Sequence, residues 1–176
     1  MSRGEDSVDN SYDISVEAGV TPLLGEDELR ADCDLVLSSE GIERPCMVSI
    51  SIVSDERIHE LNRSWRNVDA PTDVISLECE SPSDPDLAPG ESCELGDIVL
   101  APAYITRQAN DFNTTPEDEC RLLLVHGMLH LLGYDHLEDE EAEVMEARED
   151  EILSRIKCDR AVCHVDLTRH RDGDTQ

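Results

Sequence analysis

Two histidines stand four residues apart in a strongly apolar segment of the chain, and this spacing could hold a metal ion. His126 and His130 would share one face of a helix, with Cβ atoms roughly 5–6 Å apart. At that separation both imidazoles can reach one ion at the roughly 2.0–2.1 Å of a Zn–N bond. Gly133 is a helix-ending residue, and a turn there could bring His136 to the same ion. Three protein ligands leave a fourth position for water, as in catalytic zinc sites.

The alternative is that these histidines are ordinary core residues. A buried histidine is most often satisfied by hydrogen bonds, and pairs at this spacing also arise by chance. Two of them on one face of an apolar helix are nevertheless costly to desolvate unless a bound group compensates. We therefore predict one Zn²⁺ ion per chain, bound by His126, His130 and His136.

The spacing of the three histidines also occurs in metzincin proteases, which place a general-base Glu directly after the first histidine. Gly127 occupies that position here and has no side chain. The pattern therefore indicates metal–water chemistry and argues against a standard zinc protease.

The segment that carries the histidine pair is predicted to be a central, buried helix. Thr115 is a good N-cap, and Pro116 fits the first helical position. Apolar residues cover almost the whole circumference from Leu122 to Leu132, so the helix should be surrounded by other elements.

Weaker periodic patterns predict the elements that must position this helix. Strands interleave with helices, which indicates a single α+β domain with a small mixed sheet of about four strands and about five helices. The predicted strands lie in 14–20, 45–53, 74–77 and 97–101, and the other helices in 25–40, 55–65, 103–110 and 138–156.

Composition sets the limits of the domain. The chain has 176 residues, 42 acidic against 14 basic, and a formal charge of −28. We expect one domain at 14–157, an acidic flexible tail at 1–13, an acidic exposed loop at 78–94 and a polar tail at 158–176. No apolar run approaches the roughly 18 residues of a membrane span, so we expect a cytoplasmic protein with no membrane partner.

The seven cysteines are scattered and odd in number, without a C-x-x-C pair, which favours reduced thiols over a disulfide scaffold. Cys158, Cys163 and His164 could form half of a metal site, but nothing supplies the other half. His59, His164 and His170 have no partners apparent from the sequence and are interpreted as surface residues.

Three segments together resemble the YbeY family of bacterial endoribonucleases, which act in ribosomal RNA maturation. Residues 126–136 (HGMLHLLGYDH) are similar to the signature of that family, residues 61–77 to a second block, and residues 95–99 to a third. The resemblance covers roughly residues 14–156. It implies an α+β fold, zinc bound by His126, His130 and His136, single-strand-specific cleavage of RNA, and a functional arginine at Arg66.

Arg66 could clamp the phosphate oxygens of an RNA strand with its planar guanidinium. The alternative is a surface arginine that pairs with Asp69 or Asp73. Asp135 is predicted to orient a ligand histidine rather than to perform chemistry.

Two other functions remain open at this point: a non-catalytic, zinc-stabilised ribosome-assembly factor, and a metal-dependent hydrolase of peptides or small molecules. The charge of −28 disfavours non-specific binding of polyanions. Arg57, Arg63 and Arg66 nevertheless cluster within ten residues. We therefore expect weak, salt-sensitive binding of a single-stranded rRNA precursor, with a ribosomal subunit or ribosomal protein as docking partner. The sequence leaves the oligomeric state open.

Overall fold

The computed structural model describes residues 9–134 and 138–160, and within these ranges the predicted pattern of strands and helices is confirmed. The strands are β1 (Ser11–Val16), β2 (Cys46–Ile52), β3 (Val74–Glu78) and β4 (Cys93–Leu100). The helices are α1 (Glu26–Ser39), α2 (Asp55–Arg66), α3 (Pro102–Asp111), α4 (Pro116–Leu131) and α5 (Asp139–Arg160). This is the expected α+β domain with a four-stranded mixed sheet.

The sheet has the strand order β1-β2-β4-β3, with β1, β2 and β4 parallel and β3 antiparallel to β4. In β2, Val48, Ile50 and Ile52 are buried, whereas the intervening Ser49 and Ser51 are only half-buried. The alternation of apolar and hydroxyl side chains therefore gives the sheet one fully apolar face.

A bulge in β4 depends on one glycine. The register between β2 and β4 shifts between Met47 and Val48, and Gly96 has a φ of +143°. A Cβ atom on Gly96 would lie 2.0 Å from the carbonyl oxygen of Leu77. Only glycine fits there, because both the backbone conformation and the close approach of β3 exclude a side chain.

Helix α4 lies on the apolar face of the sheet, as expected for a helix with apolar residues around almost its whole circumference. It contacts α1, α3, α5, β3 and β4. The hydroxyl of Thr115 accepts a hydrogen bond from the amide of Asp118 at 3.1 Å, which confirms the predicted N-cap. Gly133, with a φ of +105°, follows the end of the helix.

Helix α2 covers part of the opposite face. Its buried residues Ile58 and Leu61 form a second, smaller core with Ile75 of β3 and Val99 of β4. The β3 edge of the sheet is therefore enclosed between two helices.

Several element ends differ from the predicted limits. β4 begins at Cys93, inside the predicted loop of 78–94, because Cys93 and Glu94 pair with β2. β1 ends at Val16 and not at residue 20. β1 begins at Ser11, within the expected tail, because Asn10 and Tyr12 both donate hydrogen bonds to Asp34 of α1. Asn10 also accepts from the amide of Cys46, which aligns β1 with β2. Helix α5 extends to Arg160, past the predicted boundary at 157.

The acidic segment between β3 and β4 has neither helix nor strand and is mostly exposed. Arg44 ties it to the domain through hydrogen bonds to the backbone carbonyls of Pro82, Ala88 and Glu91. The five cysteines whose side chains are described are free thiols, whereas Cys163 and His164 lie outside the described residues. None of the described helices combines the length and the apolar character needed to cross a membrane.

Candidate active site

The two histidines of α4 meet as their spacing predicts. Their Nε2 atoms are 3.1 Å apart, and the ring centroids are separated by 4.6 Å with the ring planes at 82°. Two nitrogens bound to one zinc at about 2.0–2.1 Å with tetrahedral angles lie about 3.3 Å apart. His126 is buried and His130 half-buried. The pair therefore has the separation that a shared metal ion requires.

The Nδ1 atom of each histidine, on the opposite side of the ring from Nε2, is hydrogen-bonded to an oxygen. His126 Nδ1 contacts the carboxylate of Glu149 on α5, and His130 Nδ1 lies 3.0 Å from the carbonyl oxygen of Tyr134. A carbonyl oxygen can only accept, so the Nδ1 atom of His130 carries the proton and its Nε2 is the basic nitrogen. An ionised Glu149 imposes the same tautomer on His126. Both rings thus present Nε2 as the basic nitrogen, which is the arrangement that a histidine–metal site requires.

The turn after α4 is held by several contacts. The amides of Gly133 and Tyr134 donate to the carbonyls of His130 and Leu129, each at 3.0 Å. The hydroxyl of Tyr134 donates to Glu40 at 2.6 Å, and Arg148 of α5 binds the same carboxylate. The chain that leads to position 136 therefore starts from a fixed point beside the histidine pair.

His136, the third predicted ligand, lies outside the described residues, as does Asp135. Within residues 9–134 and 138–160 no group of three or more His, Cys, Asp or Glu side chains could hold a metal ion. The pair of nitrogens fits zinc, and the assignment of three ligands stays a prediction.

Glu149 is a site residue that the sequence reasoning missed. It lies in a strongly acidic helix, where a carboxylate is expected at the surface, yet it is 1% exposed. A signal was present, because Glu149 shares the helical stripe of Met145, Ile152 and Ile156, all of which are buried. A carboxylate on an apolar stripe is expected to have a specific partner.

Gly127, which breaks the metzincin pattern, faces the sheet. A Cβ atom there would lie 3.5 Å from Cδ1 of Ile98. A longer side chain at this position would point into the packing between α4 and β4, so this position could not supply a general base.

Arg66 lies at the C-terminal end of α2 and is exposed. It lines a cleft of about 100 Å³ beside the start of β3. The other polar side chains of this cleft are Asn62, Thr72, Asp73, Tyr104 and Gln108. Neither histidine of α4 lines it, so the structure does not bring Arg66 into contact with the histidine pair.

A side-chain bridge connects the cleft to the N-terminal end of α4. The amide of Gln108 donates to Asp73 at 2.9 Å and to Glu119 at 2.8 Å. His126 follows Glu119 by seven residues, which is about 10 Å along a helix axis. Gln108 thus connects the Arg66 cleft to α4 about two turns before His126, although no residue of α4 lines the cleft.

The alternative pairing of Arg66 is not observed in the described part of the chain. Asp69 pairs with His59 at 2.8 Å, which gives His59 a partner that the sequence did not reveal. Asp73 accepts from Gln108 and from the amide of Val74. The guanidinium of Arg66 makes no ion pair with any described residue.

The family profile and two relatives similar to this chain carry the same description. A family profile described as Endoribonuclease YbeY matches residues 23–157. The Endoribonuclease YbeY of Pelotomaculum thermopropionicum is 42% identical over 84% of this chain and 93% of its own length. That of Desulfitobacterium hafniense is 45% identical over 68% of this chain and 76% of its own length.

The fold is also similar to that of a solved structure. The solution structure of a protein from Thermotoga maritima has a TM-score of 0.55 and 27% sequence identity. The match covers 85% of this chain and 93% of that protein.

Proposed function

The chain belongs to the YbeY family of endoribonucleases, and we propose that it is a zinc-dependent, single-strand-specific enzyme that matures ribosomal RNA. The observation that best supports this proposal is the pair of Nε2 atoms 3.1 Å apart, with an oxygen partner on each Nδ1. Such an arrangement is expected of metal ligands, because the oxygen partners fix the tautomer in which Nε2 is basic.

In this proposal His126, His130 and His136 hold one zinc ion. When bound, zinc supplies a Lewis acid that polarises a phosphoryl oxygen and lowers the pKa of a coordinated water to about 7. Glu149 keeps His126 in the ligating tautomer, and its negative charge offsets part of the charge of the ion. The Tyr134 carbonyl orients His130 in the same way.

Arg66 is proposed to bind non-bridging phosphate oxygens of the RNA. Its planar fork matches the geometry of a phosphate, and no described carboxylate competes for it. Since neither histidine of α4 lines the cleft, Arg66 is proposed to hold the strand at a point apart from the histidine pair.

The substrate is proposed to be a single-stranded region of an rRNA precursor, and the place of action the cytoplasm. A ribosomal subunit or ribosomal protein is the proposed docking partner. The exposed acidic residues of α5, which include Glu140, Glu141 and Glu143, suit a basic partner.

Replacing His130 tests the metal site. For His130→Ala we expect loss of bound zinc and of cleavage of single-stranded RNA, because two remaining imidazoles bind the ion too weakly. His59→Ala, which removes an exposed histidine paired with Asp69, is the matched control and should leave both unchanged. Elemental analysis and a cleavage assay on single-stranded and duplex RNA give the result. Retention of one zinc per chain in His130→Ala would contradict the ligand assignment.

Arg66→Ala separates phosphate binding from metal binding. Zinc content should stay intact while cleavage falls about 10- to 150-fold, since a hydrogen bond to a charged group is lost. Arg57→Ala is the control, because Arg57 pairs with Glu60 on the same helix. Unchanged cleavage by Arg66→Ala would exclude the phosphate role.

A further inference from the structure

The C-terminal end of α2 exposes an unusual set of side chains. Trp65, the only tryptophan of the chain, is 47% exposed, and Val68 is 37% exposed. Arg63 and Arg66 flank Trp65 and are also exposed. We call Arg63, Trp65, Arg66 and Val68 the α2 tip. A large aromatic side chain left in water next to cations is a common feature of binding surfaces.

The two arginines of the α2 tip make no ion pair with the described residues, although the chain is strongly acidic. The carboxylates nearby are engaged elsewhere: Asp69 with His59, Glu60 with Arg57, and Asp73 with Gln108. Cations in the last turn do stabilise a helix, which accounts for the charges alone. It does not account for the exposed indole between them.

The α2 tip is held in shape by the residue beneath it. The side-chain Nδ2 of Asn62 donates to the carbonyl oxygen of Ala70 at 2.8 Å, and the backbone carbonyl of Asn62 accepts from the amide of Val68 at 3.1 Å. Asn67 ends the helix in the left-handed conformation, with a φ of 62°. The surface is therefore preformed, so a ligand need not order the backbone on binding.

We propose that the α2 tip is the surface on which single-stranded RNA docks, a proposal that rests on the function proposed above. Trp65 stacks on an unpaired base, and Arg63 and Arg66 bind the phosphates on either side of it. Arg63 and Arg66 lie one turn apart on one side of the helix, and Trp65 lies about 100° round the axis from Arg66. An exposed ring beside unpaired arginines suits an unpaired base next to its phosphates, whereas duplex RNA keeps its bases stacked inside. The Arg66 cleft lies beside the tip and shares Arg66 with it.

Fluorescence of the single tryptophan tests the docking surface on the full-length, zinc-loaded protein. The probe is a 2′-O-methyl oligouridylate of about 12 nucleotides, which spans a typical site for single strands. We expect saturable quenching of Trp65 emission, and much weaker quenching by a duplex of the same length. Lack of quenching by the single strand would overturn the proposal.

Affinity variants measure what Trp65 contributes. Trp65→Ala should weaken binding of the labelled oligonucleotide about 5- to 150-fold, as expected for loss of a stacked base. Trp65→Phe should retain most of the affinity. Phe112→Ala removes another exposed aromatic residue, 39% exposed at the end of α3, and is the matched control. Equal losses in Phe112→Ala and Trp65→Ala, or no loss in Trp65→Ala, would overturn the role of the indole.

Salt dependence measures the phosphate contacts. Arg63→Ala and Arg66→Ala should each reduce the slope of log K against log salt by about 0.7, the value for one phosphate of a single strand. Arg57→Ala, whose side chain pairs with Glu60, should leave the slope unchanged. Unaltered slopes in both tip variants would show that Arg63 and Arg66 do not bind phosphates.

Cleavage separates this proposal from the proposed function. If the protein cleaves single-stranded RNA while Trp65→Ala binds it normally, the proposed docking surface is refuted and the proposed endoribonuclease activity is supported. If the α2 tip binds RNA but no cleavage occurs, the proposed docking surface is supported and the proposed endoribonuclease activity is refuted. Quenching by a basic ribosomal protein in place of RNA would show that the tip recognises a protein partner and would also overturn the proposal.

Discussion

At the scale of single residues, the two nitrogens of each imidazole ring in the candidate site have different partners. Nδ1 of His126 and of His130 is bonded to an oxygen, and the two Nε2 atoms converge to 3.1 Å. The spacing of the histidines made this convergence predictable, because i and i+4 share a helix face. The partner of His126 was not predictable in the same way, since Glu149 comes from another helix.

Glu149 provides a test at this scale. For Glu149→Ala we expect zinc affinity to fall about 10- to 100-fold, as is typical when the hydrogen-bond partner of a ligand histidine is removed. Glu149→Gln keeps an acceptor for Nδ1 and should lose less. Competition with a chelator of known affinity gives the values. Wild-type affinity in Glu149→Ala, with helix content intact by circular dichroism, would refute the orienting role.

At the scale of elements, the site depends on how α4 is seated against the sheet. The sequence was sufficient to predict α4, because Thr115, Pro116 and Gly133 mark its ends and its apolar residues surround it. The bulge at Gly96 could not be predicted, since it depends on the approach of the Leu77 carbonyl from a neighbouring strand. The Arg66 cleft is likewise formed by α2, α3 and the start of β3, which are brought together only by folding.

The two glycines near α4 should respond to substitution in opposite ways. Gly96→Ala should destabilise the domain by about 2 kcal/mol or more, because φ is +143° and the Cβ would lie 2.0 Å from Leu77 O. Gly127→Ala should be neutral or stabilising by up to about 1 kcal/mol, since helix propensity improves and the nearest atom lies at 3.5 Å. Denaturant unfolding measures both. Equal stability of the two variants would contradict the packing described here.

At the scale of the whole molecule, the charge of −28 limits how RNA is reached without excluding RNA as the substrate. Much of the acid lies in the segment between β3 and β4, which Arg44 holds to the domain, and on the exposed face of α5. The sequence predicts the acidic loop at 78–94 from the acidic residues along that segment. It could not show that the carboxylates close to Arg66 are occupied by other partners, which is what leaves this arginine available.

Buried thiols predict how the stability of the domain depends on pH. Burial raises the pKa of Cys46 and of Cys120 from the usual value near 9 to about 12, and burial also raises the pKa of Tyr12. Between about pH 9 and pH 12 the thiols of the unfolded chain lose protons that those of the folded chain keep. The stabilisation is therefore complete below about pH 9 and is lost as the pH rises toward 12.

The free energy of unfolding should accordingly be lower at about pH 10.5 than at about pH 8. Cys120→Ala removes one of these groups and should make the decline shallower. Denaturant titrations at the two pH values provide the measurement. A decline of the same steepness in wild type and Cys120→Ala would show that this thiol does not contribute.

The chain is proposed to need a histidine-bound zinc ion to cleave single-stranded RNA, and metal reconstitution tests this requirement. The protein is stripped with a chelator, and zinc is then titrated back while cleavage of a single-stranded RNA is followed. We expect no cleavage by the stripped protein, and recovery that saturates at one zinc per chain for wild type but not for His130→Ala. Full cleavage by the metal-free protein would contradict this requirement.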